Sequence, residues 1–156
     1  MPDLLSGSEV DALDTPPTAT DTEPGAYTCT NTSFGVGTTG GTYADCGVAF
    51  LAPTTGRVMI LYAARLGNNT DGQSCHLTPV VRENGTVGVG TIVVAASVEN
   101  MIDIQAANAS GNGRAGAHLV VSGLTPRATY NVRLEHAVTA NTGNIQSRTV
   151  TVIPLP

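Results

Sequence analysis

Three histidines, three cysteines and six scattered acids are the residues of this sequence with types suited to chemistry. His76, His118 and His136 could together offer three imidazoles to zinc. No spacing between them forces a meeting, and His118 and His136 alternate with apolar residues in strand-like runs, which places them on solvent faces. Cys29, Cys46 and Cys75 make an odd count without metal-ligand spacing. One bridge, Cys29 to Cys46 across neighbouring strands, is open to them, and reduced buried thiols are the favoured reading. Paired acids for glycoside hydrolysis would come from Asp45, Asp71, Glu83, Glu99, Asp103 and Glu135. They are scattered, and solvated turn and edge positions account for them. No Gly-x-Ser-x-Gly marks a nucleophile, and no cysteine has an evident histidine partner. The segment Phe34-Gly-Val-Gly-Thr-Thr-Gly-Gly-Thr-Tyr43 holds four glycines, but no Gly-Lys-Ser/Thr follows, so it is a loop rather than a phosphate cradle. The expectation is a non-enzymatic protein with no catalytic residue, metal or cofactor.

The elements around these residues are strands. The chain has 156 residues, 41% of them hydrophobic and only 12% charged, with no Trp and 18 Gly. Runs rich in Val and Thr, bounded by turn signals such as Gly67-Asn-Asn-Thr-Asp-Gly72 and Asn84-Gly85, recur along it. The longest apolar run lies in Phe50–Arg65. Val58, Ile60, Tyr62 and Ala64 point to one face and Met59, Leu61 and Ala63 to the other, which predicts a central strand covered on both sides. Pro79 inside the run Cys75–Glu83 predicts an edge position or a bulge there. About eight or nine strands at spacings of roughly 8–12 residues indicate an all-β antiparallel β-sandwich. In Gly123-Leu-Thr-Pro-Arg-Ala-Thr-Tyr130, the spacing of Leu124, Pro126 and Tyr130 is that of a tyrosine corner, in which the Tyr130 hydroxyl bonds backbone near Leu124. Fibronectin type III domains share this spacing but usually carry a core Trp.

Charge divides the chain in two. Asp3, Glu9, Asp11, Asp14, Asp21 and Glu23 fall in the first 23 residues without a basic residue, a net of -6. From residue 24, six acids face seven Arg, a net of +1. Residues 1–26, rich in Pro, Thr and Asp, are expected to form an acidic extended arm, with 27–156 as the sandwich domain. Extended, the arm would reach on the order of 80 Å. Leu4, Leu5, Val10 and Leu13 are its candidate anchors to a partner, and folding back on its own domain is the alternative. Neither part offers the basic stripe that nucleic acid requires. No run approaches the roughly 18 apolar residues of a membrane span. Met1-Pro-Asp-Leu-Leu5 lacks a basic n-region and an apolar core, so synthesis and assembly in a cytoplasm are expected. The Asn-x-Ser/Thr triplets at Asn31, Asn68, Asn84 and Asn108 are then Asn-rich turns.

Several segments together carry a resemblance: Phe50-Leu-Ala-Pro-Thr-Thr-Gly-Arg-Val58, Pro79-Val-Val-Arg-Glu83, Gly85-Thr-Val-Gly-Val-Gly-Thr91, Gly123 to Leu134 and Arg148-Thr-Val-Thr-Val-Ile-Pro154. Over residues 45–156 the chain resembles a β-domain of virion proteins of tailed phages of actinobacteria, of the decoration, head-fibre or minor tail type. The opening Met1-Pro-Asp-Leu-Leu-Ser-Gly7 and Ala12-Leu-Asp-Thr-Pro-Pro17 also look like starts of such proteins. The resemblance implies a jelly-roll or TNF-like fold, a structural role in the virion, homotrimers, and a major capsid or tail protein as partner. A host-surface glycan module reading through loops Asn68–Gln73 and Asn108–Arg114 is the alternative. Those loops lack the aromatic rings that stack on sugars.

Overall fold

The computed structural model describes residues 15–108 and 111–156. Eleven strands run through them: β1 (Ala19–Glu23), β2 (Tyr27–Cys29), β3 (Gly40–Gly41), β4 (Gly47–Leu51), β5 (Val58–Asn68), β6 (Ser74–Glu83), β7 (Thr91–Val94), β8 (Ile102–Gln105), β9 (Asn112–Val121), β10 (Thr129–Val138) and β11 (Gly143–Pro154). One short 3-10 turn, Val98–Asn100, is capped by the Ser97 side chain. The strands form two antiparallel sheets. Sheet A has the order β3-β2-β11-β5-β9 with β1 also on β11, and sheet B the order β4-β10-β6-β7 with β8 also on β6. The pairs β2–β11, β4–β10, β5–β9 and β6–β7 nest one inside another, as in a long hairpin rolled up. This wiring is that of a jelly roll, an antiparallel β-sandwich.

The core follows the strand period of two. Val58, Ile60, Tyr62, Ala64 and Leu66 of β5 point between the sheets with Val150 and Val152 of β11. They meet Leu77 and Val81 of β6 and Val132 and Leu134 of β10. The corner before β10 has the expected chemistry. The Tyr130 hydroxyl accepts a hydrogen bond from the Thr125 N–H at 3.0 Å, Leu124 and Tyr130 are buried, and Pro126 is exposed.

Three expectations need correction. The strand covered on both faces is β6, not β5. On β5, Leu61 is 38% exposed and Arg65 is exposed, because nothing described lies over the outer face of sheet A. On β6 both Val80 and Val81 are buried. The connection 84–90 folds over sheet B, where Asn131 accepts from the Gly88 N–H and donates to the Asn84 and Val89 carbonyls.

Pro79 accordingly sits in a central strand. Beyond β6, though, β8 pairs with Ser74–Leu77 and β7 with Val81–Glu83. Pro79 occupies the gap between them, where the sheet asks for no N–H donor.

The third correction concerns the arm. Residues 19–23, expected to be part of it, are strand β1, paired from Ala19↔Val152 to Glu23↔Arg148. Its alternation explains the misreading: Thr20 and Thr22 face out, and Ala19, Asp21 and Glu23 are half-buried. Such a polar edge strand carries no apolar signal. The anchors Leu4, Leu5, Val10 and Leu13 lie outside the described residues.

The corner generates a direct test. Tyr130→Phe leaves the Thr125 N–H without its acceptor and should cost about 1 kcal/mol, a fall of roughly 3 °C in Tm. An unchanged Tm in calorimetry would remove the corner from the stabilising interactions.

Candidate docking surfaces

The structure does not bring the candidate catalytic residues into one site. His76 lies 3.3 Å from Asp103 at the β6–β8 pairing, His118 is exposed on β9, and His136 is fully buried on β10. His136 therefore corrects the expectation of a solvent-facing side chain. It points between the sheets, where its Nε2 lies 2.8 Å from the Gly37 carbonyl and its Nδ1 2.9 Å from the Tyr27 hydroxyl. Facing a carbonyl, Nε2 must be an N–H donor, and Nδ1 is left to pair with the Tyr27 hydroxyl. The Gly-rich segment thus has a structural duty, since it brings the Gly37 carbonyl to a buried imidazole. Among the described residues, no group of three His, Cys, Asp or Glu is placed to hold a metal ion.

Arg148 completes this inner polar knot. Fully buried, its guanidinium lies 4.6 Å from the Tyr27 ring centre and 5.5 Å from that of Tyr43, and donates to the Ala44 carbonyl. Nε and one terminal nitrogen meet no acceptor. The faces of the two rings supply the negative potential a buried cation needs. Burial first, against the smaller opposing pull of Arg148, raises the Tyr27 hydroxyl well above the usual tyrosine range, so it stays a neutral donor.

The thiols are free and buried. A Cβ added at Gly143 would stand 3.0 Å from Cys75 Sγ and 3.4 Å from Cys29 Sγ. Cys29 is therefore beside Cys75, on the opposite sheet, and not beside Cys46. The hydrogen bond with Cys29, then burial, holds Cys75 far above the ordinary thiol range. Burial, with the Asp21 carboxylate, pushes Cys46 up to about 12. All three are buried, so none is a nucleophile open to solvent.

Among the acids, Asp71, Glu83 and Glu99 are exposed. Glu135 is not. On the outer side of sheet B, beneath the 84–90 connection, it accepts from Arg82 at 2.7 Å and Arg133 at 2.9 Å, and Asp45 stands 3.7 Å from Arg133. Burial works to raise the Glu135 carboxyl, but the hydrogen bonds from Arg133 and Arg82 outweigh it and hold it below the usual glutamate range.

Two surfaces of the described residues carry exposed apolar side chains. The first surface is the outer face of sheet A. Leu61, Val120 and His118 are exposed there, among half-buried Met59, Ala63 and Ile153 and the threonines of β1 and β11. At one end Arg65 and Arg114 stand directly opposite each other, both exposed. The second is the β7 edge of sheet B, where Ile92 is 52% and Val93 40% exposed, with Val89 and Val98 close in sequence and also exposed. Sequence reasoning missed both, because apolar residues in strands were assigned to the core. Of the two loops considered for glycan, Asn68–Gln73 has its first residues bonded to the body. Asn68 is buried and donates to the Ala140 and Ser74 carbonyls, and Asn69 accepts from the Thr142 N–H.

No family model matches the chain, and no curated protein matches it. Among solved structures, a chain of infectious bursal disease virus, Gx strain, is similar at 11% identity and a TM-score of 0.51. The match covers 88% of this chain and 32% of the viral one, so this chain spans about a third of its length. The likeness is one of fold alone. A carbohydrate binding module of the Cellvibrio mixtus lichenase 5A, in complex with cellotriose, matches at 14% identity over 93% of this chain and 95% of its own. Its TM-score of 0.33 is too low to carry an argument.

The Glu135 network has a pH signature. A carboxyl held low when folded adds stability above its unfolded value near about 4.3 and loses it as pH falls through the lower folded value. Glu135→Gln should therefore cost on the order of 3 kcal/mol at neutral pH, with the gap to wild type closing in acid. Urea midpoints at the two pH values measure this, and a gap independent of pH would overturn it.

Proposed function

We propose that this protein is a non-enzymatic structural component of a virus particle, of the capsid-decoration or head-fibre type on a tailed phage. In this reading residues upstream of β1 anchor it to the major capsid or tail protein, and the β-domain self-associates as a homotrimer. The observation that carries the reading is the β7 edge. A strand with one unpaired side and apolar residues exposed on it is a ready site for association. Low charge on the body adds to this, since little repulsion opposes contact between copies.

The anchor has a mechanical rationale. Candidate anchors Leu4, Leu5, Val10 and Leu13 precede β1, and β1 is fastened to β11 in the interior of sheet A. A pull on the arm is thus spread along a ladder of backbone hydrogen bonds and not taken by one end of the fold. A glycan-binding reading has one observation in its favour: Thr28, Asn112, Asn144 and Gln146 line a shallow groove on sheet A. None of the two Phe and four Tyr is an exposed ring for a sugar to stack on, which weakens that reading.

Two expected outcomes follow. Ile92→Lys with Val93→Lys should convert a wild-type trimer to monomer in light scattering without lowering Tm; an unchanged mass would exclude the β7 edge. Deleting residues 1–14 should leave the body folded but absent from particles, and retained incorporation would overturn the anchor. Deletion through residue 23 is not equivalent, because it strips β1 from β11.

A further inference from the structure

The pair Arg65 and Arg114 has no carboxylate partner among the described residues. Like charges directly opposite across a strand pair are destabilising unless an anion lies close. No acid occupies an outward register position on β1, β11, β5 or β9: these hold Thr20 and Thr22, then Thr149, Thr151 and Ile153, then Met59 to Arg65, then Arg114 to Val120. The face is therefore basic at one end and apolar at the other, with Leu61 38% and Val120 46% exposed.

We propose that the outer face of sheet A is the docking surface for residues 1–14 of the same chain. The inference deepens the anchoring reading, and rests on it, by stating where the arm lies before a particle is met. The composition of this segment matches the face in both respects. Asp3, Glu9, Asp11 and Asp14 supply the missing anions; Leu4, Leu5, Val10 and Leu13 supply apolar surface for Met59, Leu61 and Val120. A second copy laid face to face would bring no carboxylate to Arg65 and Arg114, since a two-fold contact presents the same patch and its outward positions hold no acid.

Geometry supports occupancy by the chain itself. Ala19 is level with Val152, which is level with Ile60. The segment thus leaves the sheet two strands from β5, about 10 Å at roughly 4.8 Å per strand. Residues 15–18 span up to about 13 Å. Pro16 is buried, so the link just ahead of β1 stays against the body. Tethering over so short a link gives an effective concentration in the millimolar range, enough for a weak amphipathic contact to persist. Capture of the arm by a particle then uncovers the face, which links anchoring to exposure of a fresh apolar surface.

Photocross-linking of the full chain tests this. p-Benzoylphenylalanine placed at Leu61, and separately at Val120, should yield cross-links into residues 1–14, while the same probe at Ile92 should not. Arg65→Glu with Arg114→Glu, and salt near about 1 M, should each lower the yield about fivefold, with the variant's Tm confirming that it folds. Absence of cross-links to residues 1–14 from both positions overturns the inference. So does linkage of heavy to light chains in an isotopically mixed sample, which would mean exchange between copies. Particle incorporation is scored separately: wild type that cross-links yet never joins a particle overturns the anchoring reading alone.

Discussion

The antiparallel pairing of β11 holds both ends of the described chain in one sheet. On one side it carries β5 over nearly its whole length. On the other it carries β2 at Gly143–Ile145 and β1 at Arg148–Val152, end to end. The register slips between Gln146 and Thr149, where Ser147 adopts φ 51. Arg148 keeps the inward phase of Val150 and Val152, Gly143 and Ile145 keep the opposite parity, and the bulge between them lets both halves of β11 face the core. The chain opposite it, at Pro24 and Gly25, passes from β1 to β2. The buried knot of Arg148, Tyr27, Tyr43 and His136 sits beside that irregularity.

The knot also explains how a domain without Trp or disulfide keeps its two sheets in register. Tyr27 comes from sheet A, His136 from sheet B, and Gly37 from the loop between β2 and β3. Apolar packing alone tolerates sliding; directional bonds between a phenol, an imidazole and a carbonyl do not. Each buried polar atom costs a great deal if its partner moves. The interior is thus taken up with specifying the fold, and the exposed apolar residues lie on the outer face of sheet A and at the β7 edge.

Much of this was legible from local pattern. The sandwich followed from turn signals and alternation, and the corner from the spacing of Leu124, Pro126 and Tyr130. What misled was partnership across long separations. Met59, Leu61 and Ala63 look like core in a one-dimensional pattern, and only the lack of a covering layer among the described residues shows them as surface. Pro79 suggested an edge because the gap between β7 and β8 is a property of other strands. β1 escaped notice because Ala19-Thr-Asp-Thr-Glu23 is polar and owes its extended form to β11, more than a hundred residues away. His136 looked solvent-facing for the same reason: its partners Tyr27 and Gly37 are remote, and a lone histidine carries no sign of them.

The position of β11 also bears on how the molecule is made. Synthesis proceeds from the N-terminus, and β1, β2 and β5 leave the ribosome well before Gly143–Pro154 exists. Until that stretch emerges, sheet A lacks its middle: β5 has only β9 beside it, β2 has only the two-residue β3, and β1 has no ladder to join. Sheet B meets no such delay, since β4, β6, β7, β8 and β10 are all complete by Val138. Its inner apolar face waits uncovered for its counterpart. The sandwich therefore closes late and across long sequence separations, which is intrinsically slow and exposes sticky intermediates, and an arrest of translation before Gly143 leaves sheet A without its central strand.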